Sequence, residues 1–339
     1  MDMQRLETLP PPPGVIASLQ AGFDIVSSRV ALIALPLLLD VFLWLGPRVS
    51  VGELYGSWFA SSINFLKQNG ASAQNIADYT SSNQMIVEVV NRLNWLAWFR
   101  TFPVGIPAMM LDLPQELPVQ TPLGLQGVIQ LPSFLAAFSA VVFLTFIGWL
   151  AGGWYFRLVA GASLGEKEAG IGVVRAFIQT ILLSVIWRIG SAILFVPIGL
   201  AILLLAALSP LLAQAVSFII LFFAFWLVVP LIFMPHGIFV RRQNAIISIL
   251  SSLRMARFTL PTSSMFVLSG FLLWFGLDYL WKIPTKDSWL MLAGIAGHAF
   301  ILTTLLSASF VYYRDMNDWL QNVHEQFQQM SNRSSMKKV

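Results

Sequence analysis

From Ile189 to Val240 the chain carries no Asp, Glu, Lys or Arg. A helix needs about 20 mostly apolar residues to cross a bilayer, so this one stretch is long enough for two crossings. Six apolar segments of that kind occur: Val30–Gly46, Ser133–Ala160, Phe177–Leu208, Leu211–Met234, Ser264–Ile283 and Asp287–Tyr313. The third would be about 48 Å long as an α-helix, too long for a perpendicular crossing. Pro197 inside it predicts a kink and a tilt.

Composition points the same way. Charged residues make up 11% of the 339 and hydrophobic residues 57%, whereas a soluble domain carries about 25% charged residues. So few charges cannot solvate a water-soluble globule of this size. The absence of cysteine excludes disulfides, thiolate metal sites and cysteine nucleophiles. The net charge of +4 is small and dispersed, which argues against nucleic acid as a partner. No basic region opens the chain, and "GPRVS" after the first segment lacks a small-residue cleavage site, so that span is expected to be retained.

Orientation follows from Lys and Arg. Thirteen of them, from Arg5 and Arg29 to Lys337 and Lys338, fall on one set of flanks; six fall on the other, four of these in the long loop after the first span. Long loops count little in this bias. Both termini are therefore expected in the cytoplasm of a multi-pass cell-membrane protein.

The cytoplasmic segments carry a recurring pattern. In "RRQNAIISILSSLRMAR", Ile246, Ile249, Leu250 and Leu253 share one helical face, flanked by Arg241, Arg242, Arg254 and Arg257. This reads as a basic amphipathic helix in the membrane interface, or as a connector packed on the bundle. "GVIASLQAGFDIVSSR" repeats it with Ile16, Leu19, Phe23 and Val26, and "EKEAGIGVVRAF" repeats it more weakly. The fold class is therefore all-α integral membrane: six transmembrane helices in three hairpin-like units, each preceded by an interfacial amphipathic helix. The divisions are 1–29 with the first such helix, 30–46 as the first span, 47–132 as an extracytoplasmic helical cap, 133–313 as a five-span bundle with interfacial helices near 166–176 and 242–258, and 314–339 as an amphipathic tail with Trp319, Val323, Phe327 and Met330 on its stripe.

With Pro230, Ala245, Ile246, Ser248 and Ser252 in "VVPLIFMPHGIFVRRQNAIISILSSLRMAR", the chain resembles a broad group of six-span bacterial membrane proteins of unknown function. The group includes the membrane domain of some glycerophosphoryl diester phosphodiesterases. The resemblance covers about the last two-thirds of the chain and implies a bacterial inner membrane. It implies no catalytic residue. The first outside loop is much longer here, and no phosphodiesterase domain is expected after the last span.

In that loop, Val51–Gln68 is amphipathic, "GASAQNIADYTSSN" reads as a small-residue turn region, "QMIVEVVNRLNWLAWFR" as a second helix, and the proline-rich "FPVGIPAMMLDLPQELPVQTPLG" as irregular chain. Trp95, Trp98 and Phe99 are expected at headgroup level. Such a cap either shields the bundle or docks a ligand or protein partner.

Three charged residues and a histidine interrupt the spans: Asp40, Arg188, Asp278 and His298. Each lies about 11–14 residues into its segment, or roughly 16–20 Å deep. A charge at the bilayer centre costs about 2.5–3.5 kcal/mol on insertion scales, so Arg188 is expected to pair with Asp40, Asp278 or both. The pair either fixes helix register or lines a polar path.

Motifs for chemistry are weak. "GASLG" at 161–165 matches G-x-S-x-G but follows a span rather than a strand. "GWLAG" at 148–152 could mark close helix packing. His236, His298 and His324 show no metal spacing, and "GIGVVR" lacks the third glycine of a nucleotide fingerprint. No cofactor or metal is expected. The leading expectation is a non-enzymatic membrane protein that organises or handles lipids or partner proteins; the alternative is a transporter or channel built on the intramembrane polar cluster.

Overall fold

The computed structural model describes residues 11–111, 117–165 and 171–336, without the side chains of 225 and 330–336. Its helices are α1 (Val15–Ser28), α2 (Ala34–Leu45), α3 (Gly52–Gln68), α4 (Ala73–Arg92), α5 (Phe134–Leu164), α6 (Val173–Leu208), α7 (Pro210–Phe233), α8 (His236–Arg241), α9 (Ala245–Trp281) and α10 (Met291–Met336). Among the described residues, four helices are long and apolar enough to cross a membrane: α5, α6, α9 and Met291–Gln329 of α10. The number rises to six if each of two bent pairs is one span, Val15–Ser28 with Val30–Leu45 (95°) and Pro210–Ala224 with Trp226–Arg241 (44°).

The chain divides into two compact units, each assembled from separated pieces. The first comprises Met1–Leu32, Phe156–Phe275 and Ile301–Val339. Within it α6 and α7 form a hairpin. Ser209 caps α7 by accepting from the Leu212 N–H (3.4 Å), and Pro210 occupies the first turn, where its missing donor costs nothing. The core is aromatic: Phe233, Phe266, Tyr312, Tyr313 and Met316 are buried together, with Phe266 stacked on Tyr312 at 4.3 Å. Gly22 lets α1 press on α10, since a Cβ there would lie 2.7 Å from Ala308 Cβ.

The second unit comprises Ile33–Tyr155 and Gly276–Phe300. Its segment after α2 contains α3, α4 and two short strand pairs. β1 (Arg48–Ser50) runs parallel to β4 (Val128–Gln130) with Arg48 opposite Val128; β2 (Gln120–Thr121) pairs antiparallel with β3 (Gly124–Leu125). The stretch expected to be a small-residue turn is mostly helix. Ser72 accepts from the Asn75 N–H (3.1 Å) and caps α4, which starts at Ala73, so the turn shrinks to the residues around left-handed Gly70.

The prolines at 197 and 261 sit in different backbones. α6 contains no non-helical residue at Pro197, whereas α9 breaks at Thr259 (φ −124°, ψ 18°), two residues before Pro261. The break divides α9 into an arm over 245–258 and an apolar arm beyond. Of the other interfacial helices, α1 is separate from α2, while residues 166–170 lie outside the described residues and α6 is already under way from Val173. The tail is a direct continuation of α10, with Trp319 and Leu320 packed on the aromatic core; the side chain of Met330 lies outside the described residues.

Candidate functional site

Asp40 lies on α2, fully buried, five residues before the helix ends at Leu45. Its oxygens accept from two successive backbone amides, Met109 N–H to Oδ2 and Met110 N–H to Oδ1, both at 2.9 Å. Charge-assisted bonds of this kind contribute about 1.5–3 kcal/mol each, enough to offset the cost of an apolar setting. His298 on α10 is buried beside it, with Nδ1 3.7 Å from Oδ2. That is an electrostatic contact, too long for a hydrogen bond.

The proline-rich chain is irregular in its described parts, as its sequence requires, but Val104, Ile106 and Ala108–Leu111 are buried rather than spread on a surface. Gly148 and Gly152 make room for it. A Cβ on Gly152 would stand 2.7 Å from Gly105 Cα, and one on Gly148 would strike the Phe99 carbonyl. The G-x-x-x-G match thus marks close packing against irregular backbone; the expected partner was a helix. Trp95 of the 3-10 turn Trp95–Phe99 donates from Nε1 to the Ala137 carbonyl (3.1 Å).

The other interrupting charges lie elsewhere. Asp278 accepts from Lys282 Nζ at 2.6 Å, one helical turn on. Arg188 belongs to the first unit and its side chain is exposed. The second unit therefore brings Asp40 and His298 together, and both aspartates bind groups other than Arg188.

The basic residues beside the α9 arm are arranged as follows. Arg241 pairs with Asp318 (3.1 Å). Arg242 is left-handed (φ 52°) and its carbonyl accepts from Arg175 (2.7 Å). Arg254 and Arg257 are exposed, as are Ile246, Leu250 and Leu253, while Ser248 and Ser252 are fully buried. Those serines donate to the Met234 carbonyl (2.6 Å) and the Pro230 carbonyl, acceptors left open where α7 ends, since Met234 N–H turns to Leu231 (3.4 Å) and Ile238 N–H to Pro235 (3.1 Å).

Sequence reasoning missed the polar interior of the first unit. His236 Nε2 lies 2.7 Å from Ser309 Oγ, both buried. Thr259 and Ser263 bond each other (2.8 Å), and Ser263 meets Tyr312 Oη (3.2 Å). Ser163 of the "GASLG" motif bonds Ser307 (2.9 Å) from inside α5, so it is a helix contact rather than a nucleophile elbow. The legible signal was spacing, since 248, 252, 259 and 263 fall on one helical face.

The described part of the 47–132 segment also holds a pocket of about 480 Å³, lined in part by Arg48, Asn91, Gln126 and Gln130. Among the described residues, no group of three or more His, Cys, Asp or Glu is placed to hold a metal. Compared with known protein families, curated proteins and solved structures, the chain matches none.

Proposed function

We propose that the chain is a non-enzymatic, multi-pass membrane protein, with both termini cytoplasmic, that organises lipid at one membrane face. The observation that carries the reading is the inverted α9 arm. It turns Ile246, Leu250 and Leu253 outward beside Arg254 and Arg257 and keeps its hydroxyls inside. An apolar outer surface edged with guanidinium groups suits acyl chains below and anionic headgroups above. Asp40 supports the same reading, because its oxygens are taken up in holding a loop.

The test is the lipid that accompanies the purified protein. Mass spectrometry should find anionic phospholipid enriched over the surrounding membrane. Each Arg near an anionic surface contributes about 1 kcal/mol, so Arg254→Gln with Arg257→Gln should reduce the enrichment several-fold. A bound composition equal to the bulk, unmoved by those substitutions, overturns the reading. So does lipid turnover that depends on Asp40 or His298.

A transport reading has its own observation. The hydroxyls of Thr180, Ser184 and Thr304 are buried in the first unit with no hydrogen-bond partner among the described residues, and water would satisfy them. Solute flux in proteoliposomes, slowed when a cysteine at Thr180 or Ser184 is alkylated, would favour it.

A further inference from the structure

Among the described residues, Arg48 is the largest charged side chain to be almost wholly buried, at 2% exposure. Its Nη2 donates to the carbonyls of Asn91 (2.6 Å) and Leu93 (3.1 Å) at the end of α4. That contact explains why the arginine is held there, since a helix C-terminus attracts cations. It does not neutralise the group: the terminus presents only about half a unit of negative charge. Nε is buried with no partner, and among the described residues no carboxylate pairs with Arg48. Burial draws the guanidinium's pKa down from its ordinary value, as expected of a desolvated cation without a counter-charge.

Arg48 also lines the pocket. Gln126 also lines it, its amide nitrogen committed to the carbonyls of Leu43 and Gly46 (2.9 Å each). Leu117, Val119, Leu125 and Val128 supply apolar walls. An apolar concavity with few polar groups and one unpaired cation has the composition of a ligand site, and guanidinium is the side chain best matched to phosphate and carboxylate.

We propose that this pocket binds a phosphate-type oxyanion, with Arg48 as its cation. The apolar walls accommodate whatever carries the anion, so a phospholipid headgroup and a free phosphate compound share the chemistry. The site shares no residue with the α9 arm, and its test leaves the lipid-organising reading untouched.

The cysteine-free chain permits a local probe. Leu125→Cys places a thiol at an exposed pocket position, and Ala73→Cys places one on α4 as a control. The full chain in detergent is labelled with a sulfonate-bearing and a trimethylammonium-bearing methanethiosulfonate. The anionic reagent's relative rate at 125 should exceed that at 73 by about tenfold, the factor that about 1.4 kcal/mol of differential attraction gives. Dihexanoyl phosphatidic acid, inorganic phosphate, or both should protect position 125. Protection by the lipid alone identifies a headgroup site, and protection by phosphate as well identifies a site for which the free anion suffices.

Arg48→Gln should abolish both effects. Should that variant fail to fold for want of the α4 contact, Gln130→Glu gives the same readout. It keeps the oxygen that accepts from Glu53 N–H and sets a carboxylate in the wall. The proposal is overturned if neither anion protects, or if dihexanoylglycerol, which lacks the phosphate, protects equally. It is also overturned if protection arises only in Asp112→Asn with Glu116→Gln, for then the chain supplies its own anion.

Discussion

A carboxylate amid leucines invites a search for an opposite charge, and Asp40 has none in full. What it has is geometry: two neighbouring amides, each satisfied by one oxygen. Asn keeps one acceptor and Ala keeps none, and each orphaned buried amide costs about 1–3 kcal/mol. Thermal unfolding in detergent, followed by tryptophan fluorescence, should therefore rank wild type above Asp40→Asn and Asp40→Asn above Asp40→Ala, with Ala losing roughly twice as much. Equal midpoints for wild type and Asn would sink the idea. The sequence made Asp40 legible as unusual but hid its partner, because main-chain amides 69 and 70 residues away have no side-chain signature. Asp278 erred in the other direction. Lys282 stands one turn along the same helix, and a neighbour already within reach needs no distant arginine.

At the scale of elements, hydropathy located the apolar helices well, and turn chemistry explains where it misplaced their ends. Ser72 extended α4 backward over residues too polar to suggest a buried helix. Of the mid-helix prolines Pro197 and Pro261, the sequence marked the first, yet the backbone departs from helical angles near the second. Both lack a donor, and their difference lies in tertiary surroundings that a local reading does not see. Thr259 Oγ1, for instance, is tied to the Met255 carbonyl (2.7 Å) and to Ser263. Glycines allow a controlled comparison. Gly152→Val would force a side chain into the backbone at Gly105, an overpacking that costs about 1–3 kcal/mol. Gly190→Ala meets nothing within 4 Å and should stabilise α6 by about 0.5–1 kcal/mol. Unfolding midpoints that moved the same way for both would contradict this account of α5.

Across the whole molecule, exposure is partly inverted relative to a soluble protein: Leu, Ile and Phe cover the outside of α6 and α7, while Ser, Thr and His share the interior of the first unit with its aromatic and Met core. The inversion yields a spatial prediction. Single cysteines at Ile246 and Leu250, labelled with a fluorophore in bilayers, should be quenched by lipids brominated on their acyl chains. Cysteines at Ser248 and Ser252 should be quenched far less; equal quenching at all four would remove the basis for a membrane-facing α9 arm. The apolar segments announced this surface in advance. They did not announce the division into two units, because α5, α9 and α10 each contribute to both.

The tie between Asp40 and the amides of Met109 and Met110 also has a direction in time. A ribosome adds about 5–20 residues per second, so the loop that satisfies the carboxylate emerges some 4–14 seconds after Asp40 itself. His298 follows later still. For that interval α2 holds an acidic group that no part of the nascent chain can yet accommodate. Its lowest-cost position is near the lipid–water boundary, where a carboxylate remains hydrated. The first apolar segment to be made is thus among the last to settle, and its burial waits on a stretch of irregular chain.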